Sequence, residues 1–277
     1  MNATSAPALE IRNARKIFPQ PDAPDGQGLL VLDEVSLTVQ PGQFVSVLGP
    51  SGCGKTTLAR IVIGLEPLTS GAVYIDGELA GPPAPNRCLV FQNYGLLPWR
   101  TVLGNVELGM EIQGTGKTER RERARKYISL VGLDGFENRY PHQISGGMQQ
   151  RTGLARALAT EPKMLLMDEP FGAVDAQMRS LLQDELLKIC ELTGLTVLFV
   201  THSIDEAVYL SNRILIFSAR PGRPVADVEV DLPSPRWDGA RSGYKFIEVR
   251  KEVSDLLAER TDYFLGDRVT GSGLHLD

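Results

Sequence analysis

The sequence is poor in the features that mark several protein classes. It holds 3 cysteines, Cys53, Cys88 and Cys190. An odd number with no closely spaced pair argues against a secreted disulfide framework or a zinc ribbon, and for a reducing compartment. Long apolar runs are missing too: stretches such as Met164 to Met167 and Val197 to Val200 fall far short of the roughly 18 to 20 residues that a membrane-spanning helix needs. The start, Met-Asn-Ala-Thr-Ser-Ala-Pro, has neither a basic segment nor an apolar core, so no secretory signal is expected. There is no strong charge surplus: 29 Lys+Arg against 34 Asp+Glu leave a net charge of −5, and no global electrostatic reason to bind nucleic acid or an anionic membrane. What is present is an ordinary globular composition, 277 residues with 42% hydrophobic and 23% charged. That length suits one large domain or two small ones, and glycine, at 28 residues, is slightly enriched.

Residues 9 to 18 and 29 to 39 alternate closely enough (Leu9, Ile11, then Val31, Val35, Leu37, Val39) to predict strands. Between them, Pro19 to Gly28 has the Pro, Asp and Gly content of a turn-rich surface loop. Pro41-Gly42 makes a turn before a short strand, Phe44 to Leu48, which enters a glycine loop and then an amphipathic helix ending at Gly64. Residues 102 to 161 are predicted mostly helical. Their charged run Arg120-Arg-Glu-Arg-Ala-Arg-Lys126 mixes signs as a solvated helix face does. Then come a buried strand at Met164 to Met167, a helix from Ala176 to Leu192, a strand at Thr196 to Thr201, a helix from Ser203 to Leu210, a strand at Arg213 to Ser218 and a helical pattern at Tyr244 to Leu257. Strands alternating with helices imply an α/β fold with a mostly parallel sheet.

Gly49-x4-Gly54-Lys55-Thr56 is a phosphate-loop pattern lying between a strand and a helix. Its glycines, with Pro50, Ser51, Gly52, Cys53 and Thr57 between and beside them, let backbone N–H groups converge on phosphate. Lys55 neutralises phosphate oxygens, and the Thr56 hydroxyl is a Mg²⁺ ligand. Cys53 is either a thiol activated by the helix N-terminus or a small loop filler, the reading its surroundings favour. Met164-Leu-Leu-Met-Asp168-Glu169 delivers two carboxylates at a strand's C-terminal end, where open α/β sheets bind ligands. Asp168 suits a Mg²⁺ shell, and Glu169 suits polarisation of an attacking water. Alone, such a pair could simply cap the next helix. Ser145-Gly146-Gly147 before a further helix is a second anion-binding arrangement. Gln92, Asp175 and His202 each stand at the end of an apolar stretch or beside the acid pair.

Taken in order, these motifs resemble the nucleotide-binding subunit of an ABC transporter over about residues 8 to 225. The resemblance implies a P-loop NTPase, RecA-like core with an N-terminal antiparallel β subdomain and an inserted α-helical subdomain at about 95–160. Residues 226–277 would form a short extension with a frayed tail. It further implies ATP and Mg²⁺ as ligands, and Glu169 as general base. His202 would be the switch residue on the γ-phosphate, Gln92 the Q-loop glutamine near the metal and water, and Asp175 the D-loop aspartate. Phe18 would stack on adenine, unless it is a plain core aromatic. Ser145, Gly146 and Gly147 would complete the site of a second copy in a nucleotide-sandwich homodimer. The signature departs from the family pattern at Ile144 and Met148, and Ser203 follows the histidine where aspartate is common; none of these removes a group the chemistry requires.

Val90-Phe-Gln-Asn-Tyr-Gly-Leu-Leu-Pro-Trp-Arg, Asp168-Glu-Pro-Phe-Gly-Ala-Val-Asp and Thr201-His-Ser-Ile-Asp-Glu-Ala-Val-Tyr-Leu are similar to importer ATPases serving nitrate, aliphatic sulfonates, taurine and related anions. That branch implies integral membrane permease subunits, indirectly a solute-binding protein, and a peripheral place on the cytoplasmic side of the cell membrane, with no nucleic-acid partner. Tyr94, Leu96, Leu97, Pro98 and Trp99 form an apolar cluster that would be costly to expose, read here as a groove for a membrane subunit; alternatively Leu96 and Leu97 are core and only Trp99 is surface. Two rival readings are weaker. A soluble P-loop kinase has no use for Ser145-Gly-Gly or the Gln92 segment. A non-transport ABC ATPase typically carries a coiled coil or two nucleotide domains.

Overall fold

The computed structural model describes residues 6–20, 28–91, 95–172, 175–236 and 239–269, with side chains to residue 260. The chain opens with β1 (Leu9–Phe18) and β2 (Leu29–Val39), paired antiparallel from Leu9↔Val39 to Phe18↔Leu29. β3 (Phe44–Leu48) leads through residues 49–54 into α1 (Lys55–Ile63). β4 (Ser70–Ile75) and β5 (Glu78–Leu79) return to the first sheet, whose order is β2-β1-β4-β5, antiparallel throughout. After β6 (Arg87–Val90), the helices α2 (Val102–Ile112), α3 (Lys117–Leu130) and α4 (Gly146–Leu158) pack on one another. The rest alternates: β7 (Met164–Asp168), α5 (Ala176–Thr193), β8 (Thr196–Thr201), α6 (Ile204–Leu210), β9 (Arg213–Phe217), then β10 (Pro224–Glu229) and α7 (Tyr244–Val269).

The second sheet has the order β10-β9-β3-β8-β7-β6, with β10 antiparallel and the other neighbours parallel. Parallel strands covered on both faces read as continuous apolar runs, and their period of two sorts the side chains. Phe44, Leu48, Leu165, Met167, Val197, Phe199, Ile214 and Ile216 join the core under the helices. Val45, Val47, Leu166, Leu198, Val200, Leu215 and Phe217 join the core shared with α1 and the antiparallel sheet. Each such side chain contributes roughly 1.5–3 kcal/mol on burial, and a one-residue slip would exchange the two sets.

Helix ends follow local chemistry. Thr101, Ser145, Asp175 and Ser203 cap α2, α4, α5 and α6 by accepting a backbone N–H from the first turn, and Gly64 and Gly194 end α1 and α5 at positive φ.

Three strands have no counterpart in the sequence expectation. β4 opens on Ser-Gly, β5 is two residues long, and β10 begins with proline at a sheet edge, so none carries a full alternating run. The terminal helix runs well past Leu257, through a stretch whose apolar residues lack helical spacing. The span 102–161 resolves into three helices with turns between Val131 and Ser145. The parallel register aligns strand ends: Leu48 lies beside Thr201 and Ile216, and Asp168 beside Val200. The segments leaving β3, β7, β8 and β9 therefore emerge at one edge.

Candidate functional site

That edge is where the chemistry collects. The loop from Gly49 to Gly54 turns tightly because Gly52 and Gly54 sit at φ +78° and +103°; at Gly54 a Cβ would also lie 2.8 Å from the Leu32 side chain. Lys55, only 4% exposed, folds back so that its Nζ donates to the carbonyls of Gly49 (2.8 Å) and Pro50 (2.9 Å). The loop is thus curled round its own cation. The first turn of α1 holds no acidic residue, so no carboxylate of the helix itself competes for its N–H groups.

The acid pair reaches the same place on β7. Thr56 donates its hydroxyl to Asp168 at 3.1 Å. Burial pushes the Asp168 carboxyl above its ordinary range, the Thr56 hydrogen bond opposing and the neighbouring Glu169 charge adding to the rise. Glu169 is held at φ +46°, in the left-handed region that costs a non-glycine residue about 1–3 kcal/mol. Its N–H is tied to Val200 O at 2.9 Å, which fixes the turn that aims its side chain at β8. There His202 Nδ1 lies 3.1 Å from Glu169 Oε2.

A cavity of about 340 Å³ lies against the loop and Glu169, while Asp168 and His202 do not line it. It is lined by the loop residues Ser51, Gly52, Gly54, Lys55, Thr56 and Thr57, by Glu169, and on its outer wall by Phe18 and Arg220. Phe18 is half-buried, takes the Lys16 ammonium on its ring at 4.6 Å, and packs against the core shared with α1, so it meets both the cavity and the core. Cys53 is buried behind the loop, and that burial raises its thiol pKa despite nearby Lys55. This is the environment of a loop filler rather than of an activated thiol. A larger groove of about 530 Å³ opens at the opposite end of the sheet. Polar groups there are already partnered: Lys163 with Asp76 at 2.9 Å, and the Tyr127 hydroxyl donating to Glu161 at 3.3 Å.

The other motif residues stand apart. Ser145 caps α4 by accepting Met148 N–H at 3.3 Å, and Asp175 caps α5 by accepting Met178 N–H at 3.0 Å. These two helix starts are neighbours, since a Cβ at Gly147 would lie 3.2 Å from Met178. Ser145, Gly146 and Asp175 are exposed, and none of them lines the loop cavity. Gln92 and Tyr94 lie outside the described residues. Of the apolar cluster, Leu96 and Leu97 are half-buried, whereas Trp99 is 71% exposed.

Two residues in the site's surroundings had no role in the sequence reading. Arg220 reaches from the loop after β9 to Gly52 O, at 3.2 and 3.3 Å. Buried Asn105 donates to the carbonyls of Leu97, Arg100 and Thr101 and accepts Leu97 N–H at 2.8 Å, which shapes the turn bearing Trp99. An arginine in an Arg-Pro-Gly-Arg loop was a visible signal for the first. A single asparagine in a helix offered none for the second.

Thr56 and Asp168 fit a share in a hydrated divalent cation: one hydroxyl, one carboxylate, and room for phosphate oxygens and water. Among the described residues, no group of three or more His, Cys, Asp or Glu is placed to hold a metal ion alone, which suits a cation shared with a phosphorylated ligand.

Comparison with known proteins agrees with this arrangement. Residues 32–172 match the family model described as ABC transporter. An ABC transporter ATP-binding protein of Methanocaldococcus jannaschii is 50% identical over 251 residues, 91% of each chain. The nitrate import ATP-binding protein of Synechococcus elongatus is 44% identical over 231 residues, 82% of this chain but only 35% of that longer relative. The taurine import ATP-binding protein of Rhizobium johnstonii is 43% identical over 242 residues, 86% of this chain and 92% of the relative. Among solved structures, a dimeric ATP-binding cassette in a post-hydrolysis state, bound to ADP and Pi, aligns with TM-score 0.72 and 33% identity, over 80% of this chain and 99% of that one.

Proposed function

We propose, from the premise that the chain belongs to the ABC transporter family and is an ATP-hydrolysing subunit of it, that it drives an importer for a small anion of the nitrate, sulfonate or taurine kind. The observation that carries the mechanism is one pair of contacts beside the phosphate loop: Glu169 beside His202 and Asp168 beside Thr56, each at 3.1 Å. Residues 8–225 form the nucleotide-binding unit, with about 95–160 as its helical insertion and 226–277 as an extension.

ATP lies with its phosphates in the Gly49–Thr57 loop, where the α1 N–H groups and Lys55 offset the charge that develops on the transferring phosphoryl group. Phe18 covers the base. Thr56 and Asp168, with Gln92 as the Q-loop glutamine, would hold Mg²⁺, which when bound would supply charge neutralisation at the phosphates. Glu169 accepts the proton of the attacking water. His202 holds that water and the γ-phosphate in line, and the strained backbone at Glu169 keeps the carboxylate aimed there.

Ser145, Gly146, Gly147 and Asp175 point to what is outside one chain. They are an exposed helix start with anion-binding equipment and no place in their own chain's cavity. A second copy, related by two-fold symmetry, brings each signature segment to the other copy's phosphate loop. Trp99 and its neighbours dock on an integral membrane permease subunit, which works with a solute-binding protein on the far side. This places the chain peripherally at the cytoplasmic face of the membrane. Relatives named for nitrate and taurine import support the anion class.

The test is Glu169→Gln. Loss of a general base lowers kcat by roughly 10²–10⁴-fold, while ATP binding persists and the protein accumulates as an ATP-bound dimer on size exclusion. Turnover at the parental rate would remove Glu169 from the base role.

A further inference from the structure

The C-terminal extension, residues 226–277, received no role from the sequence, yet it feeds a chain of buried polar contacts that ends at the switch histidine's loop. Arg241, in the turn before α7, donates from Nη2 to Gln183 Oε1 at 2.7 Å. Gln183, on α5 and 3% exposed, passes its Nε2 on to Glu206 Oε1 at 3.4 Å. Glu206, on α6 and 8% exposed, accepts the Thr201 hydroxyl on Oε2 at 2.7 Å. Thr201, the last residue of β8, accepts Ser203 N–H on the same hydroxyl at 3.0 Å. His202 is the residue between those two anchors.

The polarity of this chain is determined at its outer end. A guanidinium only donates, so it takes the amide oxygen of Gln183, which leaves the amide N–H₂ for the carboxylate. Glu206 also has the Arg179 guanidinium 3.9 Å away. Its carboxylate is thereby held on one side by α5 and free to take the Thr201 hydroxyl on the other. Thr201, committed as donor to Glu206, must use its lone pair for Ser203 N–H, and this closes the turn that presents His202 to Glu169. A second contact reinforces the first: Arg250, on α7, meets Asp205 at 2.5 Å, one residue from Glu206. Phe246, Val249 and Val253 seat α7 in the main core.

We infer that Arg241 of the C-terminal extension is a positioning residue for ATP hydrolysis, acting through Gln183, Glu206 and Thr201 to hold His202 in its working place. The inference rests on His202 serving as the γ-phosphate switch. It extends that reading by making the extension part of the catalytic support and not a passive tail.

Steady-state ATPase measurements on the full chain test it, with His202→Ala as the reference. Arg241→Leu lowers kcat by about 3- to 30-fold, the range expected for one coupled contact, with KM for ATP unchanged. Gln183→Glu, which keeps an acceptor for Arg241 but loses the donor to Glu206, behaves the same way. The double variant Arg241→Leu/Gln183→Glu is no slower than its slower single parent, and Arg241→Lys restores part of the rate. Ser180→Ala removes a different Arg241 contact, the 2.8 Å bond to Ser180 Oγ, and leaves kcat at the parental value. Parental kcat in Arg241→Leu, additive losses in the double variant, or a loss in Ser180→Ala equal to that in Arg241→Leu overturns the inference. Full activity in His202→Ala overturns the switch reading itself, and the two failures are separately visible.

Discussion

Gly222→Ala tests how closely the phosphate loop is braced from behind. Gly222 follows β9 in the loop that carries Arg220, and its N–H donates to Val31 O at 2.8 Å while its carbonyl accepts Asp33 N–H at 3.2 Å. A methyl group there would sit 2.1 Å from Cys53 O and 3.2 Å from the Leu32 side chain. The first contact is with backbone immediately before Gly54, so no side chain can turn aside to relieve it. To reach even 3.0 Å, the two segments must part by about 0.9 Å, against hydrogen bonds that pin Gly222 to β2. Overpacking of this kind costs about 1–3 kcal/mol. At roughly 2–4 °C per kcal/mol for a chain of this size, Tm falls by about 2–12 °C. The same displacement moves the loop relative to Asp168 and Glu169, and a misplacement near 1 Å can cost up to about 10²-fold in rate, so kcat/KM for ATP falls with Tm. Thermal unfolding by circular dichroism and steady-state ATPase assays read the two effects. Gly81→Ala, where a Cβ meets nothing within 4 Å, is the control and changes neither. A Gly222→Ala protein with parental Tm and parental kcat/KM would refute the close bracing.

Three further expectations follow from other contacts. Arg236 is buried and donates to the carbonyls of Tyr209 (3.2 Å), Ser211 (2.6 Å) and Val230 (3.3 Å). Arg236→Met strands those acceptors and costs about 1–3 kcal/mol, seen as a lower urea midpoint with an unchanged m-value; an unmoved midpoint contradicts it. Burial raises all three thiols, Cys53 and Cys88 in direction and Cys190 from 9.0 to about 12, so a disulfide reagent at pH 8 titrates them only after unfolding. Because an unfolded thiol ionises first, the contribution of Cys190 to stability is full below about pH 9 and is lost as pH rises towards 12. One thiol reacting within seconds in the native protein contradicts the burial. Trp99→Ala removes an exposed ring and leaves the folding free energy within about ±0.5 kcal/mol, as is typical of surface changes, yet abolishes recovery with membrane subunits; undiminished co-purification contradicts the docking surface.

Much of the fold was legible because it rests on local pattern. β3, β7, β8 and β9 are short apolar runs between turn signals, α1 starts straight out of the glycine loop, and α5 and α6 carry caps within a few residues of their expected starts. The strands that escaped, β4, β5 and β10, lie at or near sheet edges, where pairing partners supply what the sequence pattern lacks. The site divides the same way. Gly49 to Thr57 and Asp168-Glu169 announce themselves by spacing, because phosphate and metal chemistry demands those groups at fixed intervals. Arg241, Gln183 and Glu206 are far apart in sequence and individually ordinary; only their contacts make them a unit. Asn105 and Gly222 are silent for the same reason.

The sequence by itself determined the chemistry: which groups meet phosphate, which carboxylates are available, and that the chain is an ATPase of the ABC family. It did so because the phosphate loop, the two adjacent acids, Ser145-Gly-Gly and the Gln92 segment are each short enough to be specified without reference to the rest of the chain. The tertiary structure alone decided what those groups can reach. It set Glu169 at positive φ against His202, and Thr56 against Asp168 across 112 positions of sequence. It also left Ser145 outside its own chain's loop cavity and linked the turn at His202 to the extension through Glu206, Gln183 and Arg241. Such contacts depend on parallel register and on packing between elements distant in the chain, and no window of sequence contains them.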